Sequence, residues 1–157
     1  MASEIRHSLL ASGLLEARAY QLEAVDETLS SSTLLVLPTA AGKTAVAWMV
    51  MAEMLRRTDG WALMIAPTVA LVKQHHDGLI EAFSGQGIEA VAMSGAIPAA
   101  KRQSMWGRSR LVVSTPQVVR NDVIRGVLDL ADCCVLVVDE AHHTTGERGE
   151  AQVADLY

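Results

Sequence analysis

The sequence predicts an α/β fold in which a parallel sheet is covered by helices on both faces. Apolar runs of strand length recur along the chain, and longer segments suited to helices separate them. Four of the five runs are also almost free of charge inside, as expected for strands buried on both sides.

The strands are expected at Thr33–Leu37, Trp61–Ala66, Gly87–Ala92, Arg110–Ser114 and Cys134–Val138. An opening helix at about Ala17–Leu29 precedes them. Lys43–Arg57 has no internal Gly or Pro and ends in Arg56-Arg57, which suits the negative end of a helix dipole. Asp59-Gly60 then turns the chain. Val69–Phe83 is the next helix, Pro98–Trp106 a short one with Pro in its first turn, and Pro116–Arg125 a last one that Thr115 is placed to cap. No linker, repeat or low-complexity segment interrupts the pattern.

Half of the 157 residues are hydrophobic, enough to bury a core in one domain. No apolar run approaches the roughly 18 residues that would span a bilayer, and Met1–His7 lacks the basic-then-apolar order of a signal peptide. The expected location is therefore the cytosol, or the nucleus or nucleoid with DNA. The adjacent Cys133 and Cys134 are poorly arranged for a structural disulfide and read as small hydrophobes. His75-His76 and His142-His143 are not read as metal ligands, because adjacent helical side chains point about 100° apart and no partner ligands stand at metal spacing.

Formal net charge is −5, yet the segment Gly95–Arg125 carries six basic residues against the single acid Asp122. Those six are Lys101, Arg102, Arg108, Arg110, Arg120 and Arg125. Only charge within a Debye length of roughly 8 Å counts for a phosphate backbone, so this segment is the candidate contact, with a solvated face as the alternative.

The chemistry is concentrated in two motifs. An expected strand ending at Leu37 runs into Pro38-Thr39-Ala40-Ala41-Gly42-Lys43-Thr44 and then a helix, the context in which a glycine loop cradles phosphates. Backbone N–H groups of the loop and the helix N-terminus would face the phosphates of ATP. Lys43 would reach the β- and γ-phosphates, and the Thr44 hydroxyl would ligate Mg²⁺. Leu37 stands where the general loop pattern has its first glycine. Downstream, Val135–Val138 delivers two carboxylates at a strand end. Asp139 would hold Mg²⁺, and Glu140 would orient and deprotonate the water that attacks the γ-phosphate.

Further segments give the chain a likeness. Ala66-Pro67-Thr68 through Gln74-His75 looks like motif Ia of superfamily 2 helicases, and Ser114-Thr115-Pro116 through Asn121-Asp122 looks like motif Ib. Glu16–Gln21 is similar to the upstream glutamine motif, and Asp139–His142 reads Asp-Glu-Ala-His. Order and spacing resemble the Hef and Fanconi-anaemia M fork-remodelling helicases most, with Dicer-like and innate-immune RNA helicases as cousins. Ala40 departs from them, since glycine is usual there.

The resemblance implies a first RecA-like, DEAD/DEAH-type P-loop domain. It implies that Arg18 and Gln21 face adenine and that Thr39, Ala40, Ala41, Gly42, Lys43 and Thr44 hold the phosphates. Thr68, Gly95, Thr115 and Pro116 would touch nucleic acid, DNA in preference to RNA. The family pattern continues with a motif III and a second RecA-like domain carrying an arginine finger. Residues 1–157 are therefore expected to be the N-terminal, C-terminally truncated part of the first domain, weak or inactive in ATP turnover alone. A catalytically silent, Dicer-related RNA-binding module is the alternative reading. A nucleotide kinase or other non-helicase P-loop enzyme leaves Ala66–His75 and Ser114–Asp122 unexplained.

Overall fold

The computed structural model describes residues 2–38 and 41–140. Strands β1 (Ser3–Glu4) and β2 (Glu16–Ala17) form a small antiparallel pair, followed by helices α1 (Ala19–Ser30) and α2 (Lys43–Arg57). Then come β3 (Trp61–Ile65), α3 (Val69–Ala82), β4 (Ala90–Met93), α4 (Ala99–Met105), β5 (Leu111–Ser114), α5 (Pro116–Ile124) and β6 (Cys133–Val138). The main sheet has the order β4-β5-β3-β6, and every neighbouring pair is parallel.

Successive strand side chains point to opposite faces, and the two cores follow that alternation. From β3, Ala62 and Met64 join one core with Val46, Val50, Met51 and Leu55 of α2 and Val72 and Leu79 of α3. Leu63 and Ile65 join the other, with Trp106 and with Val118 and Val119 of α5. The sheet is thus covered on both sides, which is why its strands are apolar throughout rather than alternating.

Helix α2 has the bounds its composition predicts, and α1, α3, α4 and α5 differ from expectation by a residue or two at their ends. The fourth strand begins at Ala90 rather than Gly87, because Gly87 takes a left-handed φ of 74° and extends the turn.

One expected strand is not a strand. Thr33–Leu37 has no regular secondary structure. Leu34 and Val36 are 72% and 80% exposed. A strand exists through its ladder, and among the described residues no neighbour pairs with this segment. The described sheet ends at β6, whose residues from Cys134 to Val138 are only half-buried.

Thr115 occupies the N-cap position of α5, but its side chain makes no capping hydrogen bond there, contrary to expectation. The residue is buried, and Pro at the first position of the helix already fixes the backbone for entry.

Candidate nucleotide and nucleic-acid sites

Strand register places the site residues. Ile65 pairs with both Ser114 and Val138, and Met93 pairs with Ser114, so all four parallel strands end level with one another. The residues that follow, Thr68, Gly95, Thr115 and Asp139, therefore lie along one carboxyl edge of the sheet, where open α/β folds bind ligands.

At the head of α2, Gly42 takes a left-handed φ of 85° and no side chain caps the helix. The first-turn N–H groups, which have no intrahelical acceptors, are left for an anion. Lys43 and Thr44 are exposed on that turn. Below it sits Gln21, 5% exposed, with both N–H bonds of its amide and one lone pair of its oxygen engaged. Its Oε1 accepts from the Arg18 N–H at 2.8 Å, half of a capping box for α1. Its Nε2 donates to the carbonyls of Gly42 at 3.2 Å and Ala41 at 3.4 Å. The Tyr20 hydroxyl donates to the Ala41 carbonyl at 2.9 Å, so two consecutive residues of α1 hold the loop. Neither grip has a signature in the sequence beyond the adjacency of Tyr20 and Gln21. Thr39 and Ala40 lie outside the described residues, as does His142.

Asp139 leaves β6 with its N–H bonded to the Ile65 carbonyl at 2.9 Å. Its Oδ2 lies 2.7 Å from Nε2 of His75 on α3. That hydrogen bond holds the Asp139 carboxyl below its ordinary range against the opposing effect of burial, and the Glu140 N–H and the Lys43 charge act in the same direction. Glu140 sits at φ 55°, a left-handed conformation that non-glycine residues adopt rarely and that recurs at functional sites. His76, the other histidine of the pair, bonds the Ala90 carbonyl at 2.9 Å.

These residues fit ATP and Mg²⁺: an uncapped helix start behind a left-handed glycine, an exposed lysine and threonine, and a carboxylate at the carboxyl end of β6.

A second concavity, of about 580 Å³, opens along the same edge. Thr68, Gly95 and Thr115 line it with Gln117, Asn121 and Arg125. Thr68 is exposed and caps α3, its Oγ1 accepting from the Leu71 N–H at 3.2 Å, and its hydroxyl hydrogen can still donate. Pro116 is buried and does not line the groove, so of the four residues expected to touch nucleic acid it alone lies away from it.

The basic segment is less available than its charge implies. Arg102 is buried and forms two 2.8 Å bonds to the Asp122 carboxylate, to which Trp106 Nε1 also donates at 2.8 Å. Arg110 donates to the carbonyls of Leu55, Thr58 and Gly60 at 2.6 to 2.9 Å, closing the end of α2. Arg125 remains as an exposed cation at the groove.

Residues 18–157 match the sequence profile of the DEAD/DEAH box helicases. The chain belongs to this family. Among DEAD/DEAH relatives, a Methanocaldococcus jannaschii protein provisionally named an ATP-dependent RNA helicase is 39% identical over 98% of the chain and 20% of its own length. The chicken Fanconi anemia group M protein is 38% identical over 87% of the chain and 7% of its own length. The Saccharomyces cerevisiae ATP-dependent DNA helicase MPH1 is 37% identical over 88% of the chain and 14% of its own length. The crystal structure of the Pyrococcus furiosus Hef helicase domain superposes with a TM-score of 0.84 at 34% identity, covering 90% of this chain and 30% of that one. The chain thus spans a fifth or less of these curated relatives. The α/β architecture with a parallel sheet flanked by helices is that of the Hef helicase domain. Among the described residues no helix is long and apolar enough to cross a membrane.

Proposed function

We propose that this chain is the nucleotide-binding part of an ATP-dependent DNA helicase or translocase that acts on branched or forked DNA in repair. The observation that carries the reading is the uncapped start of α2 behind the left-handed Gly42, with Lys43 and Thr44 exposed, together with Asp139 on the sheet edge that bears a groove lined by Thr68, Gly95 and Thr115.

In this reading the N–H groups at the start of α2 and the Lys43 ammonium hold the phosphates, while Thr44 and Asp139 hold Mg²⁺. The bound ion would neutralise charge on the β- and γ-phosphates. The Glu140 carboxylate orients the attacking water and takes its proton. Gln21 meets adenine through the second lone pair of Oε1, since both N–H bonds of its amide already hold the loop. Arg18 stands beside it at the head of α1.

The chain would work with a second RecA-like domain. A transition-state arginine from that domain is worth roughly 10³–10⁵ in rate, so residues 1–157 alone should bind nucleotide and turn it over slowly.

DNA is favoured over RNA because MPH1 is named a DNA helicase, whereas the archaeal relative's provisional name specifies RNA. Groove contacts of this kind reach backbone phosphates and carry little information about the sugar. The test is binding of fluorescently labelled forked DNA, duplex RNA and single strands, with and without ATP. Tighter binding of forked DNA agrees with the proposal, and preference for duplex RNA replaces it with the Dicer-like reading.

A further inference from the structure

The hydrogen bond between His75 and Asp139 joins residues 64 positions apart, and neither the loop nor the groove explains it. His75 lies on α3, the helix that Thr68 caps, and is 9% exposed. Its Nε2 stands 2.7 Å from Oδ2. A carboxylate that ligates a cation is deprotonated and only accepts, so in that state Nε2 carries the hydrogen and donates. The Asp139 N–H is itself fixed on the Ile65 carbonyl at 2.9 Å. The backbone and the side chain of Asp139 are therefore each held before any ligand arrives.

A carboxylate offers about four lone-pair sites, and the His75 donor leaves others open. We propose that His75 is a positioning residue for the divalent cation: by donating to Oδ2 it fixes the Asp139 carboxylate so that the remaining lone pairs receive Mg²⁺. This rests on the reading of Asp139 as a metal ligand. Hydrogen-bond partners of metal-binding side chains typically change metal affinity by about 10- to 100-fold when removed. A donor carried on a packed helix holds geometry more tightly than one on a loop, which suits His75 to the role. The plain alternative is a buried histidine that merely satisfies its ring nitrogen on the nearest acceptor.

The two are separated by titrating Mn²⁺ onto the chain loaded with ATPγS, following free Mn²⁺ by electron paramagnetic resonance, and measuring ATPγS affinity in EDTA. His75→Leu removes the donor and should weaken Mn²⁺ binding at least about tenfold, leaving metal-free ATPγS affinity unchanged. His75→Gln, which keeps an N–H at similar reach, should restore binding to within about threefold of the parent chain, a rescue within the range set for such partners. Should His75→Leu fail to fold, His75→Asn keeps a polar side chain too short to reach Asp139 and should show the same loss. Parent-like Mn²⁺ affinity in His75→Leu or His75→Asn, with a loss in Asp139→Ala, overturns the proposal and leaves the ATP site standing. Unchanged Mn²⁺ affinity in Asp139→Ala together with unchanged ATPγS affinity in Lys43→Ala overturns both.

Discussion

The Gln21 side-chain amide donates to the Gly42 carbonyl across 3.2 Å, which ties α1 directly to the turn that opens α2. A Cβ built on Gly42 would collide with that same Gln21 nitrogen. Gln21 cannot simply swing away, because it is buried and its oxygen is bonded to the Arg18 N–H. Gly42→Ala therefore meets both a clash and a left-handed φ of 85°. It should cost roughly 1–3 kcal/mol in urea unfolding and weaken ATP binding as the loop shifts. Unchanged stability would show that the loop relaxes freely.

The Arg102–Asp122 pair sits in the second core with Trp106 as a third partner. Asp122→Ala leaves a buried guanidinium without its anion and should cost roughly 3–5 kcal/mol by chemical denaturation. Arg102, and after it Trp106, holds the Asp122 carboxyl below the ordinary range, with burial opposing. A depressed folded pKa stabilises above the unfolded value, so this contribution is complete above about pH 4 and fades as pH falls through the folded value. In Asp122→Asn, unfolding free energy should fall less steeply below about pH 4 than in the parent chain. Identical acid profiles would contradict the pairing.

Arg110 and Arg125 should behave oppositely although the sequence counts them alike. Arg110 spends its guanidinium on three carbonyls, so Arg110→Ala should destabilise by roughly 1.5–3 kcal/mol and leave affinity for forked DNA unchanged. Arg125→Ala should leave stability unchanged, weaken DNA binding and reduce the salt slope by about one. Fluorescence anisotropy at several salt concentrations separates the two.

That contrast marks how far the sequence was legible. Lys43–Arg57 could be bounded as a helix because every local cue agreed, from the motif at its head to Arg56-Arg57 at its end. The motifs placed Thr68, Gly95 and Thr115 in one groove because parallel strands ending level bring their following residues to one edge. Leu34 and Val36 have strand composition, but a ladder is a property of two segments and composition describes one. Counting charge on 95–125 could not reveal that Arg102 and Arg110 turn inward, since their partners lie on other elements. The His75–Asp139 bond was invisible for the same reason.

Cys133 is buried, and that burial pushes its thiol up to about 12, while the neighbouring Cys134 is half-buried. At pH 8 Cys133 stays protonated and shielded, and only thiolate reacts at a useful rate. Ellman's reagent should therefore titrate at most one thiol rapidly in the folded chain and both in guanidinium chloride. Rapid reaction of both in the folded chain would place β6 further from the core than described.

Isothermal calorimetry of ATP with Mg²⁺, on the parent chain and on Lys43→Ala, bears most directly on whether this sheet edge is a nucleotide site. The geometry predicts saturable binding to the parent chain and a loss of at least roughly tenfold, about 1.4 kcal/mol, in Lys43→Ala. Equal affinities in the two proteins would contradict it.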